Sequence, residues 1–417
     1  MLSHKLIALL KIYLTKIRLL IYSIISSFFD LIPMMLHWPL KNISEACKNK
    51  KNIVFVGGTS SVRISRIAKW LNKSSDYYTI LLCHQKGFME EFSNQYWGKI
   101  IFFRNKYHLI RIVKQLKNVY LMHGFATKSY YPDIARKCNA AKFIMDFQDV
   151  YACYYELPPK LRWLKIELPY EKNCLEKSDG IIAHSLEPLV AYNKYNIRPH
   201  PDNIFFPLYC DDDCIVDKVN NPDPENISFV YAGQISGSHR GRVFRGSTQF
   251  HTLIDTLSNQ KIHFHIYPSP AVHSTDIDEY QQISVNNPYL HIHPSVVAEE
   301  ISLELSKYNF GIIPFFLKDT GQSKDKYKYA TSLKLFNYIE AGIPVFVSED
   351  VFYQSWLLKR YNAGIIIKEE DLKCLDKLIM SLNYEETVKA LKKSRQNLLL
   401  SKQISRLTDF YSKIAKK

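Results

Sequence analysis

From residue 52 onward, short β-branched runs alternate with helical stretches, and this alternation restricts the fold more than any other feature of the chain. Residues 52–56, 79–82, 100–103, 119–122, 143–145 and 180–183 are expected strands, with helical segments between most of them. Near-continuous apolar strands separated by helices call for a parallel sheet covered on both faces. A stretch rich in Asp, Asn and Pro, residues 211–225, then reads as a junction. The alternation restarts with expected strands at 228–232, 261–266, 290–293, 311–313, 344–347 and 364–367. Helices are expected near 61–71, 247–257, 297–307 and 332–341, and from 369 onward. A chain of 417 residues is also longer than one core usually serves. The expected class is α/β, with two Rossmann-like doubly wound domains facing across a cleft and an N-terminal amphipathic helix.

Charge is unevenly placed. Of the formal +15, residues 1–51 carry +6 (eight Lys/Arg against Asp30 and Glu45). Residues 387–417 carry +8, nine against Asp409. The middle is nearly neutral, which argues against a nucleic-acid groove and for an anionic membrane surface as a partner. Residues 4–32 place Lys5, Lys11, Lys16 and Arg18 on one half of a helical wheel and Ile7, Leu10, Ile17, Ile21 and Ile25 on the other. Phe29 breaks that pattern. The uncharged run between Arg18 and Asp30 is too short to span a bilayer, so the segment fits an interfacial helix. A helix buried against the body of the protein is the alternative. The expected divisions are a membrane-associating segment at 1–45, a first Rossmann-like domain at 46–210, a second Rossmann-like domain at 211–395 and a basic helix at 396–417 packing back on the first domain. Eight scattered cysteines and no leader pattern imply a reduced, cytoplasmic protein, peripheral on the inner face of the membrane.

Residues 331–348, TSLKLFNYIEAGIPVFVS, are the most informative segment. Thr331 or Ser332 caps a helix, and Lys334 falls in its first turn. A cation there opposes the helix dipole, but is explained if an anion such as a diphosphate sits between it and the free N–H groups. A solvated surface lysine is the plain alternative. The segment resembles the donor-site helix of GT-B glycosyltransferases, in particular the retaining family 4, or group 1, enzymes. YNFGIIPF at 308–315, FVYAGQI at 229–235, Arg245-Gly246 and SDGIIAHS at 178–185 resemble other parts of that family.

The resemblance implies transfer of a sugar from a nucleotide diphosphate sugar to a saccharide or lipid-linked acceptor, in envelope or capsule polysaccharide synthesis. It implies no cofactor and no metal. Gly57, Gly58, Gly233, Arg240, Arg245, Pro314, Thr331, Ser332, Leu333, Lys334 and Asn337 would hold the donor. Asp149, His123, Arg245 and Lys334 would act in catalysis. Gly57 and Gly58 also fit an ordinary βα turn, and His123 a packed histidine. The chain departs from the family at Asn337 and Tyr329, where members often carry ribose-binding glutamates; Glu340, one turn on, is a substitute. It departs again at Gln148, near the position of a histidine that touches the transferred sugar. Asp211, Asp212 and Asp213 resemble an acidic metal motif but lie in the junction. His263/His265 and His291/His293 each share a strand face, with no third ligand evident for zinc. An epimerase of the same fold and a silent membrane-docked scaffold are the rival readings.

Overall fold

Strand β1 (Lys51–Gly57) shows why the first sheet is buried on both faces: Ile53, Val54, Phe55 and Val56 have no exposed surface. Its one internal polar residue, Asn52, donates from its side chain to the Asn118 carbonyl at 3.0 Å. In the computed structural model β1 is central in a seven-stranded sheet. Its companions are β2 (Tyr77–His84), β3 (Lys99–Phe103), β4 (Val119–Ala126), β5 (Phe143–Phe147), β6 (Gly180–Ala183) and β7 (Asn203–Phe205). The order is β3-β2-β1-β4-β5-β6-β7, and every pairing is parallel. The structure describes residues 17, 21, 25, 29–32, 49–84, 94–126, 128–155, 157, 159–217, 226–240, 248–317 and 324–417.

The second sheet is built from β8 (Ser228–Gly233), β9 (His263–Pro268), β10 (Leu290–Ile292), β11 (Phe310–Ile313), β12 (Val345–Ser348) and β13 (Gly364–Ile367). Its order is β10-β9-β8-β11-β12-β13, again all parallel. In both sheets the strand order reverses beside the first strand, which opens a crevice at the carboxyl ends there. Twelve of the strands lie where the apolar runs predict them. No apolar run predicts β7, because its three residues Asn-Ile-Phe are half-exposed and too short to show a pattern.

Four helices set the walls of the cleft and the contact between the sheets: α1 (Val62–Lys73), α2 (Lys324–Tyr329), α3 (Leu333–Ala341) and α4 (Leu400–Ala415). α1 buries Ile64, Ile67, Ala68 and Leu71 in the core. The i, i+3, i+6 ridge of Arg63, Arg66 and Lys69 is also buried. Arg63 pairs with Asp146 at 3.1 Å, Arg66 with Glu340 at 2.6 Å and Lys69 with Asp211 at 2.8 Å. Glu340, on α3, belongs to the second sheet's side, so Arg66 ties the two sheets together. Ser302 Oγ and the Asp211 N–H also donate to Glu340, each at 2.8 Å. The carboxylates beside Arg66 hold its guanidinium protonated despite burial.

α4 returns to the first sheet. The chain enters it through a parallel bridge between Cys210 and Leu399. Tyr411 then hydrogen-bonds His123, and Phe410 and Ile414 lie where a side chain at Gly180 would be. Lys413 and Lys417 pair with Asp202.

Removing the cation from a buried pair strands the anion, at a cost of about 3–5 kcal/mol. Arg66→Met should therefore lower the urea midpoint by a corresponding amount. Adding Glu340→Gln to that variant should recover part of the loss, because the stranded charge is gone.

Candidate functional site

Gly233 ends β8 with φ +141°, a conformation that L side chains rarely adopt. A Cβ there would stand 2.3 Å from Lys334 Cε and 2.8 Å from its Nζ. The missing side chain is the space in which Lys334 lies. Lys334 comes from the first turn of α3, where Ser332 is the N-cap and its Oγ accepts from the Lys334 N–H at 3.3 Å. The ammonium sits over the rings of Tyr231 and Phe315, 5.5 and 5.6 Å from their centroids. It has no hydrogen-bond or ion-pair partner among the described residues, and burial alone pushes its pKa down to about 8. A desolvated cation beside a capped helix N-terminus and an open glycine turn is suited to an anion.

The buried polar atoms nearby in sequence point the same way. Thr331 Oγ1 and Asn337 Oδ1 are buried without a hydrogen-bond partner among the described residues. Pro314 follows β11 and is buried. Leu333 instead faces a small gap shared with Arg63, Arg66, Tyr209 and Leu400. Arg240 is engaged: its guanidinium forks onto Asp276 at 2.6–3.0 Å. Arg245, and with it Arg242, lies outside the described residues.

Across the cleft, Asp149 stands two residues beyond β5. It accepts from Tyr154 at 2.9 Å and is paired with Lys326 of α2. Lys326 also reaches Glu187 Oε1 at 2.9 Å. Burial opposes the charge on Lys326, but Asp149 and Glu187 outweigh it and raise its pKa well above the ordinary lysine value. The Leu186 N–H donates to the Tyr329 carbonyl at 3.1 Å. Residues 324–334 therefore run from Asp149 on one sheet to Gly233 on the other. Sequence reasoning missed Lys326, since nothing in KDKYKY marks one lysine as buried.

Several expectations need correction. His123 does not follow a strand; β4 continues to Ala126, so it lies inside the sheet with no exposed surface. Its Nδ1 is 2.6 Å from Tyr411 Oη, its Nε2 is 3.5 Å from Asp146 Oδ2, and its ring stacks on Phe55. Burial lowers its pKa. Glu340 is not free to replace a ribose-binding glutamate, because Arg66, Ser302 and Asp211 use its oxygens. A Cβ at Gly57 would stand 2.4 Å from the Phe125 ring, so that glycine makes room for an aromatic side chain, and one at Gly58 would stand 3.3 Å from Tyr131. Lysines and a serine occupy the three junction aspartates: Asp211 and Asp213 share Lys69, Asp213 also meets Lys73, and Asp212 takes Ser401. A third histidine does stand near each strand pair: His263, His265 and His291 are mutual neighbours.

Residues 243–404 match the family model described as glucosyltransferase 3-like, C-terminal domain. Sucrose-phosphate synthase from Thermosynechococcus elongatus shares the fold with a TM-score of 0.61 at 11% identity, over 88% of this chain and 99% of that one. Anabaena HepE, solved in complex with UDP-glucose, gives 0.59 at 10% identity, over 88% and 98%. Acinetobacter baumannii MurG gives 0.50 at 13% identity, over 87% and 99%. No curated protein matches in sequence. The chain has the GT-B glycosyltransferase fold. Its second half carries the match to the glucosyltransferase 3-like domain.

Because Lys334 is lowered, the folded chain binds fewer protons than the unfolded one between pH ~8 and ~10.4. Stability conferred at this residue should rise with pH across that window. Lys334→Met should remove the dependence, and its urea midpoint at pH 7 should equal or exceed that of the wild type. A drop at pH 7 would mean that the ammonium has a stabilising partner.

Proposed function

We propose that this protein transfers a glycosyl group from a nucleotide diphosphate sugar to a saccharide or lipid-linked acceptor presented at an anionic membrane. The observation that carries the reading is Lys334, desolvated over the Gly233 turn and without an ion-pair partner among the described residues. The diphosphate would sit between its ammonium and the N–H groups of the helix that Ser332 caps. When the bond to the sugar breaks, negative charge grows on the departing diphosphate, and a preorganised cation stabilises that charge most. Arg245 is the proposed second cation, and Asn337 Oδ1 and Thr331 Oγ1 would accept from donor hydroxyls. Asp149, held by Lys326 and Tyr154, would face the transferred sugar from the other wall. Charge stabilisation of this kind needs no metal at the donor. The match to a glucosyltransferase 3-like domain and the UDP-glucose held by HepE favour a sugar nucleotide as the anion.

The membrane part of the proposal rests on residues 17–32. Ile17, Ile21, Ile25, Phe29 and Ile32 are exposed at spacings of four, four, four and three, a single apolar ridge. Asp30 points inward: its carboxylate takes Arg104 at 2.6 Å and Asn105 at 2.9 Å. That polar anchor leaves the ridge facing outward, which supports an interfacial reading of the segment. No helix among the described residues is long and apolar enough to cross a membrane.

In a thermal-shift screen, one class of nucleotide diphosphate should stabilise the protein, and Lys334→Ala should abolish the shift. The same substitution should cost on the order of 2–4 kcal/mol in transition-state stabilisation, read as kcat/KM. Chelator should leave turnover per folded chain unchanged. An unchanged nucleotide response in Lys334→Ala would sink the site assignment.

Ile21→Asp with Phe29→Asp should abolish salt-sensitive binding to anionic vesicles while leaving the nucleotide response intact. If the double variant still binds vesicles, the ridge is not the membrane contact.

A further inference from the structure

Four histidines form a ladder on one face at the edge of the second sheet. β9 alternates strictly: Phe264 and Ile266 are buried on one face, and His263, His265 and Tyr267 belong to the other. β10 is the edge strand, in parallel register with His291 opposite His265. That register interleaves the two histidine pairs. His263 Nδ1 lies 2.9 Å from His291 Nε2, and His265 Nδ1 lies 3.0 Å from His293 Nε2. The rings stack in turn: His265 on His291 with centroids 4.3 Å apart, and His293 on Tyr267 at 4.4 Å.

A doubly wound sheet ordinarily fills such positions with apolar side chains. Here each ring-to-ring bond uses one proton and two nitrogens. Four ring nitrogens, His263 Nε2, His265 Nε2, His291 Nδ1 and His293 Nδ1, then have no hydrogen-bond partner among the described residues. Packing alone does not account for four imidazoles with half their nitrogens idle.

We propose that the ladder binds one divalent transition-metal ion of the zinc class through His263, His265 and His291, with His293 within reach as a fourth ligand. One nitrogen from each of the first three lies within 4.8 Å of the others. A tetrahedral ion bonded at about 2.0–2.1 Å sets nitrogens roughly 3.3 Å apart, so small ring rotations close the site. The ion takes the place of the proton shared by a ring pair, and that proton moves to the idle nitrogen of its own ring, so each ligand stays a neutral imidazole. An outer shell stands ready: Tyr308 Oη is 3.2 Å from His293 Nε2 and 2.8 Å from Tyr267 Oη, and Tyr267 donates to Glu304 at 3.1 Å.

The site is not at the cleft. Pro268 ends β9 beside the Gly233 turn, where the Ser269 N–H donates to the Gly233 carbonyl at 2.9 Å. His263 is five residues back, about 16 Å at the usual strand rise. The ion would pin the edge strand to its neighbour and not touch a sugar donor.

The test titrates the metal-free, full-length protein with Co²⁺ and then Zn²⁺. One equivalent of Co²⁺ should give the visible ligand-field bands of a tetrahedral site, displaced by one equivalent of Zn²⁺, and Zn²⁺ should raise Tm. His265→Asn and His291→Asn should each weaken binding at least tenfold, while His251→Asn, beside Glu279, should not. Absence of stoichiometric binding overturns the proposal, as does loss only in His251→Asn. If the ladder variants fail to fold, pulsed electron paramagnetic resonance of wild type with one equivalent of Cu²⁺ counts coordinated imidazoles. Two or more support the ladder, and fewer overturn it.

Discussion

Three cations on one ridge of α1 decide how the rest of the molecule is arranged. Arg63 reaches Asp146 under the first sheet's carboxyl ends, Arg66 crosses to Glu340 of α3, and Lys69 holds Asp211 where the chain leaves the first sheet. All three lie in low-dielectric surroundings, where an unpaired charge is expensive. The two sheets therefore have few relative positions that satisfy every charge. The consequence reaches the donor end through α3, nine residues long. Its last turn is tied to Arg66, and its first turn presents Ser332 and Lys334 to Gly233. One short helix thus fixes both the junction and the cation of the proposed site.

That economy explains the contrast between the two lysines of the cleft. Lys326 is half-buried between two carboxylates and stays charged. Lys334 is half-buried among aromatic rings and a bare backbone turn, and desolvation penalises its charge. The first is a structural tie between walls. The second is a vacancy in the electrostatics, which an anion would fill.

The fold was largely legible because its signal is local. Each buried parallel strand is a continuous apolar run, and twelve such runs stand in the sequence where strands stand in the structure. The place of Lys334 in a first helical turn was legible for a related reason, since Ser332 and Gly342 mark the two ends of that helix. The errors came from information that does not lie along the chain. Whether His123 sits in a strand or after it depends on how far β1 and β5 continue to pair with β4. Whether Glu340 is free depends on an arginine 274 residues away in sequence. The histidine ladder needs the register of β10 against β9, which no periodicity in either strand reveals. Phe29 is a flaw in the amphipathic wheel, yet it lies on the exposed ridge, because Asp30 faces the body of the protein.

The return of α4 to the first sheet has a consequence for how the protein is made. Tyr411 closes over His123 and Asp146 in the interior of the first sheet. A ribosome that has finished β7 must still add nearly the whole second sheet before α4 emerges. At 5–20 residues per second, the 194 intervening residues, 206–399, take about 10–40 s. During that interval the nascent first sheet has an open seam over a buried histidine and carboxylate, and the second sheet forms before the first is sealed. Folding of this chain is thus nested, with the first unit waiting on the last helix, and a chaperone binding the seam would compete directly with α4.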